Sequence, residues 1–432
     1  MTRARRAWSA LAALVVLGLA VAGAILTWPA PAVPAVQVPP ATPALIAQGA
    51  YVATAADCVA CHTKAGGTPY AGGRAFRLPF GTIYSPNITP DRDTGLGLWT
   101  DAEFLRAVHK GVDRDGEQLY PAFPYTSYAR MSDADALALK AYLFSLRPVR
   151  SLAPENDLAF PFNQRPLMRF WKILFMPRRG FEPRADRPPE WNRGAYLVTA
   201  LGHCGECHTP RNLAYGLKSG EALSGETIQG WTAWNITPDP QHGIGAWTEA
   251  DIAAYLRYGY ATGRGAANGP MKEAIDASLS KLSPADLHAM AVYLKTVPAK
   301  TRGPALELNP VSLSASTYLG PPVGEPGAKG QGRRIFEGAC ASCHAWNGQG
   351  QQTEIAALRG LASVNDPKAV NVVQTVLRGS SVTAPQGHAF MPAFAAAYSD
   401  AEIAAVSNYV VQHFGGRAGE VTPGDVAKAR RQ

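Results

Sequence analysis

An uncharged, apolar stretch runs from Ala7 to Trp28 behind three arginines, Arg3, Arg5 and Arg6. It is long enough to span a bilayer. Basic residues on the near side, with Trp8 and Trp28 at the two ends, fit the positive-inside rule and the interfacial aromatic belt, which puts the remainder across the membrane. A cleaved secretory leader has a similar pattern. The length of the run and the lack of a clean small-x-small cleavage site before Pro29 favour an uncleaved anchor, and either form implies export. The Pro/Ala tract from Pro29 to Pro43 reads as a spacer.

Further along, helix-start signals divide the apolar segments. Thr100-Asp101-Ala102-Glu103 and Thr248-Glu249-Ala250-Asp251 combine an N-cap with an acidic first turn and predict helices near 101–110 and 249–258. Ser132-Asp133-Ala134-Asp135, Ser283-Pro284-Ala285-Asp286 and Ser399-Asp400-Ala401-Glu402 each pair an N-cap with an acid three residues on, and each predicts a helix. Those helices carry Tyr142, Tyr293 and Tyr409 on an apolar face, and core packing is the first explanation for them.

The recurrence of these signals is an internal repeat. Asn87-Ile88-Thr89-Pro90-Asp91 returns as Asn235-Ile236-Thr237-Pro238-Asp239. Gly95-Leu96-Gly97-Leu98-Trp99-Thr100 returns as Gly243-Ile244-Gly245-Ala246-Trp247-Thr248. The repeat divides the chain into an anchor or leader with its spacer (1–43), a first module (44–150), a linker (151–190), a second module (191–299), a Pro/Gly-rich linker (300–330), a third module (331–418) and a tail (419–432). The first linker contains the apolar decapeptide Leu167 to Met176, too short to span a bilayer. It suits a membrane interface, a partner surface, or burial against the neighbouring module.

The 432 residues are 47% hydrophobic, enough for several packed cores. The formal net charge of +8 raises a nucleic-acid reading, but the basic residues are scattered rather than striped. An anionic membrane surface or an acidic redox partner fits that charge better.

The six cysteines form three pairs, each followed by histidine: Cys58-Val59-Ala60-Cys61-His62, Cys204-Gly205-Glu206-Cys207-His208 and Cys340-Ala341-Ser342-Cys343-His344. Two cysteines three apart share one helical turn and can form thioethers to one haem, with the next histidine as proximal iron ligand. A zinc site would need further ligands, and no cysteine is spare. A thiol redox pair would not require histidine after every second cysteine. Three covalently bound haems are therefore expected, on Cys58/Cys61/His62, Cys204/Cys207/His208 and Cys340/Cys343/His344.

Methionine opposite histidine is the usual sixth ligand of a haem of raised potential. The repeat points to Met271 in Gly269-Pro270-Met271 and Met391 in His388-Ala389-Phe390-Met391-Pro392, both expected in loops. The first module departs from this. Its matching stretch, Leu119 to Tyr125, has Phe123 where methionine would stand. Met131 aligns with the residues that head the closing helices, which argues for packing, and His109 is a second candidate ligand. The first haem is thus five-coordinate, or ligated by Met131 or His109.

The chain resembles the membrane-associated three-haem cytochrome c subunits of bacterial periplasmic dehydrogenases. The similarity rests on Gly194-Ala195-Tyr196-Leu197-Val198 leading into His203-Cys204-Gly205-Glu206-Cys207-His208-Thr209-Pro210-Arg211-Asn212, on the two Asn-Ile-Thr-Pro segments, and on Tyr120-Pro121-Ala122-x-Pro124-Tyr125. It implies a mainly α fold with three tandem class I cytochrome c-like domains behind the N-terminal hydrophobic segment. It also implies a place at the periplasmic face of a bacterial inner membrane. Such subunits take electrons from a quinoprotein, flavoprotein or molybdenum-containing catalytic subunit and pass them to ubiquinone or a terminal oxidase. The resemblance carries over the attachment cysteines, the three proximal histidines, Met271 and Met391. Phe123 departs from the alcohol- and gluconate-type pattern and looks more like the cytochromes that accompany molybdenum hydroxylases. The sequence shows no dinucleotide fingerprint, P-loop or nucleophile triad that would give the chain a catalytic site of its own. Two other readings are a multihaem enzyme, peroxidase-like or thiosulfate-oxidising, reacting at the first haem, and a free-standing membrane cytochrome.

Overall fold

The computed structural model describes residues 3–27, 29, 40–177, 180–306 and 328–432. Trp28, most of the Pro/Ala spacer and the greater part of the second linker lie outside the described residues. The chain is mainly helical and divides into two compact units, one of Met1–Ala53 with Cys61–Glu182 and one of Thr54–Ala60 with Pro183–Gln432.

In chain order, α1 (Arg3–Thr27) is followed by α2 (Pro43–Ala55) and α3 (Cys58–Cys61), and the first unit goes on with strands β1 (Ala75–Leu78) and β2 (Gly81–Tyr84), α4 (Asp101–Lys110), α5 (Tyr125–Tyr128) and α6 (Asp133–Ser145). β3 (Asp157–Leu158) and α7 (Met168–Phe175) complete it. Apolar side chains along α1 are exposed. Among the described residues no helix is long and apolar enough to cross a membrane.

β1, β2 and β3 form an antiparallel sheet with Phe76 opposite Ile83 and Thr82 opposite Asp157. β3 comes from the stretch that the sequence assigns to a linker. Leu158 on it joins Ile83 and Tyr120 in a small core, against which Phe80 and Met168 also pack. The segment up to Glu182 therefore folds with the first unit.

The second unit contains α8 (Pro189–Tyr196), α9 (Gly205–His208), the hairpin of β4 (Glu226–Ile228) and β5 (Trp231–Ala233), α10 (Glu249–Tyr258), the short pair β6 (Tyr260–Ala261) and β7 (Gly265–Ala266), α11 (Gly269–Ala277) and α12 (Pro284–Leu294). It continues with α13 (Ala328–Ala339), α14 (Ala341–His344), α15 (Val370–Arg378), the hairpin of β8 (Ser380–Ala384) and β9 (Gly387–Met391), α16 (Asp400–Gly415) and α17 (Pro423–Arg430). Within this unit α15 is fastened to β5, since Asn371 accepts from the Thr232 amide at 2.8 Å and donates to its carbonyl at 2.9 Å. Tyr260 shares a buried cluster with Ile355, Val382 and Ala384.

The helix starts fall where the polar signals put them. Thr100 and Thr248 cap α4 and α10 with reciprocal bonds to Glu103 and Asp251, which satisfies amides that would otherwise lack partners. Ser132, Ser283 and Ser399 cap α6, α12 and α16.

One packing arrangement occurs three times. α2 crosses α6, α8 crosses α12 and α13 crosses α16, each crossing made close by a glycine. A Cβ on Gly49 would lie 1.8 Å from the Ala138 carbonyl oxygen, one on Gly194 1.9 Å from that of Ala289, and one on Gly332 2.1 Å from that of Ala405. No side chain fits in those gaps. The Cβ atoms of Tyr142, Tyr293 and Tyr409 border the same crossings, so these tyrosines are packing residues.

Candidate functional site

Each Cys-x-x-Cys-His segment forms one helical turn directly after a crossing helix. α3 spans the first cysteine pair, Cys204 precedes α9, and Cys340 precedes α14. A single turn brings residues i and i+3 to one face, so each cysteine pair points the same way. The chain turns sharply into the first two motifs, with positive φ at Asp57 (52°) and His203 (37°).

The three histidines are held alike. The ring Nδ1 of His62 lies 2.8 Å from the Pro86 carbonyl, that of His208 2.6 Å from Trp234, and that of His344 2.6 Å from Ala356. A carbonyl only accepts, so Nδ1 carries the proton in each ring and Nε2 keeps its lone pair. Burial lowers the pKa of all three imidazoles and keeps them neutral, as metal ligands must be.

Three of the cysteines lack the low pKa of a redox thiol. Burial pushes the thiols of Cys204, Cys207 and Cys340 up to about 12, about 11 and about 11. Reactive thiol pairs need the opposite shift. Among the described residues no group of three or more His, Cys, Asp or Glu is placed to hold a metal ion. Two thiols on one turn beside a neutral imidazole with a free Nε2 fit a covalently bound haem.

A network accounts for the repeated Asn-Ile-Thr-Pro-Asp segments that begin just after Pro86 and Trp234. The Asn87 side chain accepts from the Thr89 amide and hydroxyl and donates to the Val149 carbonyl at 2.7 Å, while the Val149 amide donates to Thr89 Oγ1. Asn235 does the same with Thr237 and donates to the Lys300 carbonyl at 2.6 Å, and the Lys300 amide donates to Thr237 Oγ1. The chain leaving each closing helix is thereby tied to the loop that supplies the histidine's acceptor. Gly95 and Gly243 are needed for the fit, since a Cβ on either would lie 2.2 Å from the Thr89 or Thr237 carbonyl oxygen.

The candidate sixth ligands are less alike. Met271 lies in the first turn of α11, entered through Gly269 at a φ of 55°, and Met391 ends β9 opposite Ser380. Neither is in a loop as expected. Pro270 in the first turn of α11 puts 271 in a helix, and hairpin pairing claims 391. Met131 is buried at the head of α6, as its alignment suggests. Phe123 is half-buried, with ring contacts to Tyr125 at 6.4 Å and Tyr128 at 5.5 Å. His109 lies on α4 with Nδ1 3.4 Å from Asp133, and burial lowers its pKa against the pull of that carboxylate.

Sequence reasoning missed the carbonyl acceptors at Pro86, Trp234 and Ala356 and the crossing glycines. A glycine shortly ahead of every motif was a signal for the latter.

The cytochrome c family model matches residues 46–147 and 330–414. The chain is similar to a nicotinate dehydrogenase component of Pseudomonas putida, 40% identical over 86% of this chain, and it spans 30% of that longer protein. It is also similar to the fructose dehydrogenase cytochrome subunit of Gluconobacter japonicus, 37% identical over 89% of this chain and 82% of the relative. The gluconate 2-dehydrogenase cytochrome c subunit of Pantoea cypripedii is 37% identical over 90% of both.

Proposed function

Since the chain belongs to the family of cytochrome c subunits of dehydrogenase complexes, we propose that it holds three covalent haems and passes electrons from a catalytic subunit toward a membrane acceptor. It is an electron-transfer subunit with covalently bound haem c. The observation that carries the count of three is the threefold repetition of a histidine whose Nδ1 is held by a backbone carbonyl behind two cysteines of one turn.

In this reading Cys58/Cys61, Cys204/Cys207 and Cys340/Cys343 hold the porphyrins, and His62, His208 and His344 are the proximal ligands. Met271 and Met391 are the distal ligands of the second and third haems. Haem iron supplies a one-electron couple. The protein's part is to orient each imidazole and keep it neutral, as the geometry above allows. At the first haem the aromatic cluster around Phe123 would stand where the other modules have methionine, and Met131 packs in the core.

The partner in this reading is a periplasmic dehydrogenase of quinoprotein, flavoprotein or molybdenum type, and ubiquinone or a terminal oxidase takes the electrons. The run Ala7 to Trp28, with its basic near side, supports an anchor in a bacterial inner membrane and three cytochrome c domains on the periplasmic face. The internal repeat and the three glycine crossings support that domain number.

A pyridine haemochrome assay of the purified protein tests the count, with three haems per chain expected and two overturning it. Purification from native membranes tests the role. A stoichiometric dehydrogenase subunit whose substrate reduces the haems is expected, and haems that stay oxidised with that subunit bound would end the proposal.

A further inference from the structure

α7 is apolar on both sides. Met168, Trp171, Lys172 and Phe175 follow helical spacing and face the protein. Met168 packs toward the Ile83, Tyr120 and Leu158 core, and Trp171 meets Tyr125 edge-on at 6.2 Å. Lys172 Nζ donates to the Gly111 carbonyl and to Gln118 Oε1. The opposite side presents Ile173 at 63% and Leu174 at 72% exposure. The loop leading into α7 adds Phe160 at 80%, along with Phe162, whose ring stacks on Phe80 at 4.3 Å. Large aliphatic and aromatic groups concentrated on one short stretch in this way mark a contact surface.

The position of α1 identifies what that surface meets. An Arg169 guanidinium nitrogen lies 3.5 Å from the Ile25 carbonyl, so α7 sits against the last turn of α1. A helix that enters the bilayer from the basic Arg3–Arg6 end leaves it at Ile25–Thr27, and α7 is then at the level of the headgroups. At about 12 Å long, α7 cannot cross, but it can lie in the interface with its apolar side toward the acyl chains, and Arg165, which stacks on Tyr120 and pairs with Glu117, adds positive charge at the headgroup level.

We propose that α7 and the Phe160–Phe162 loop form a second, peripheral membrane contact that lays the first unit on the outer face of the bilayer, with anionic phospholipid as the occupant. The inference rests on reading α1 as an anchor.

The test uses the full-length holoprotein in nanodiscs of phosphatidylethanolamine and phosphatidylglycerol. Spin labels are placed through Ile173→Cys, Leu174→Cys or the exposed control Leu213→Cys. Labels at 173 and 174 are expected to lose accessibility to a water-soluble nickel chelate by about tenfold relative to 213, because a charged chelate does not follow them into an apolar layer, and to gain accessibility to oxygen. Chelate accessibility equal to that at 213 overturns the proposal. So does loss of access to both reagents, which marks a protein contact. Carbonate extraction of native membranes reports separately on α1. Extractable protein overturns the anchor reading, whereas resistant protein with water-accessible 173 and 174 overturns the lipid contact alone.

Discussion

The two sides of the candidate haem positions were built under different constraints. On the proximal side His62, His208 and His344 repeat one arrangement, a ring held by a main-chain carbonyl behind a glycine-tight helix crossing. The candidate distal residues stand in three different settings, Phe123 in an aromatic cluster, Met271 at a helix start and Met391 at a hairpin end. The proximal side depends on backbone groups and on the lack of a side chain at Gly49, Gly194 and Gly332, neither of which drifts easily. The candidate distal residues are single side chains on unlike elements, and the modules diverge there.

Four changes test this contrast. Gly194→Val, which forces α8 away from α12, should cost at least about 3 kcal/mol. Calorimetry of the holoprotein should show the second unit melting early, and an unchanged transition would mean the crossing is not structurally required. Asn235→Ala leaves the Thr237 amide and the Lys300 carbonyl without their partner, at roughly 2 kcal/mol. The loss is read by denaturant titration, and the matching Asn87→Ala should cost a similar amount if the two networks are equivalent.

The third change bears on the distal side. The wild-type protein is expected to show a high-spin ferric signal worth one haem by low-temperature EPR. Phe123→Met should convert it to low spin and raise the potential of that haem. A wild-type protein that is low-spin throughout would place a ligand such as Met131 on the first iron.

The smallest expected effect is a pH dependence. Burial, helped by the Arg169 charge, pushes Lys172 down to about 7. An unfolded lysine titrates near 10.4. Between these values the unfolded chain binds more protons, so the penalty for burying the ammonium is complete below pH 7 and fades as pH rises to about 10. The first unit should therefore gain stability over that range, and Lys172→Met should flatten the curve. An unaltered slope in thermal melts would assign the effect to another group.

Much of this was legible in the sequence because the signals were local. An N-cap and its acid lie within one turn, so Thr100, Thr248, Ser132, Ser283 and Ser399 identify helix starts without any knowledge of the fold. The attachment motif is equally self-contained. What the sequence hid depends on partners far along the chain. A glycine in a helical run reads as a weak helix residue until the crossing helix is known, as at Gly194 and Ala289. A carbonyl acceptor such as Ala356 has no side-chain signature at all. Strands of three or four residues, as in β1, β2, β4 and β5, are too short for alternation to show. Met271 and Met391 read as loop residues because proline and glycine stand near them, yet those neighbours begin a helix in one case and flank a hairpin in the other.

The asparagine networks at Asn87 and Asn235 also bear on how such a chain is lengthened. Each fastens the main chain just past its closing helix, at Val149 and at Lys300, to the loop around its own histidine. After Val149 the chain goes on to pair β3 with β2, so the first knot is backed by a strand, while Lys300 closes the second on its own. Each module in effect ends in its own knot, so a copied gene segment that includes the knot brings a finished unit with it.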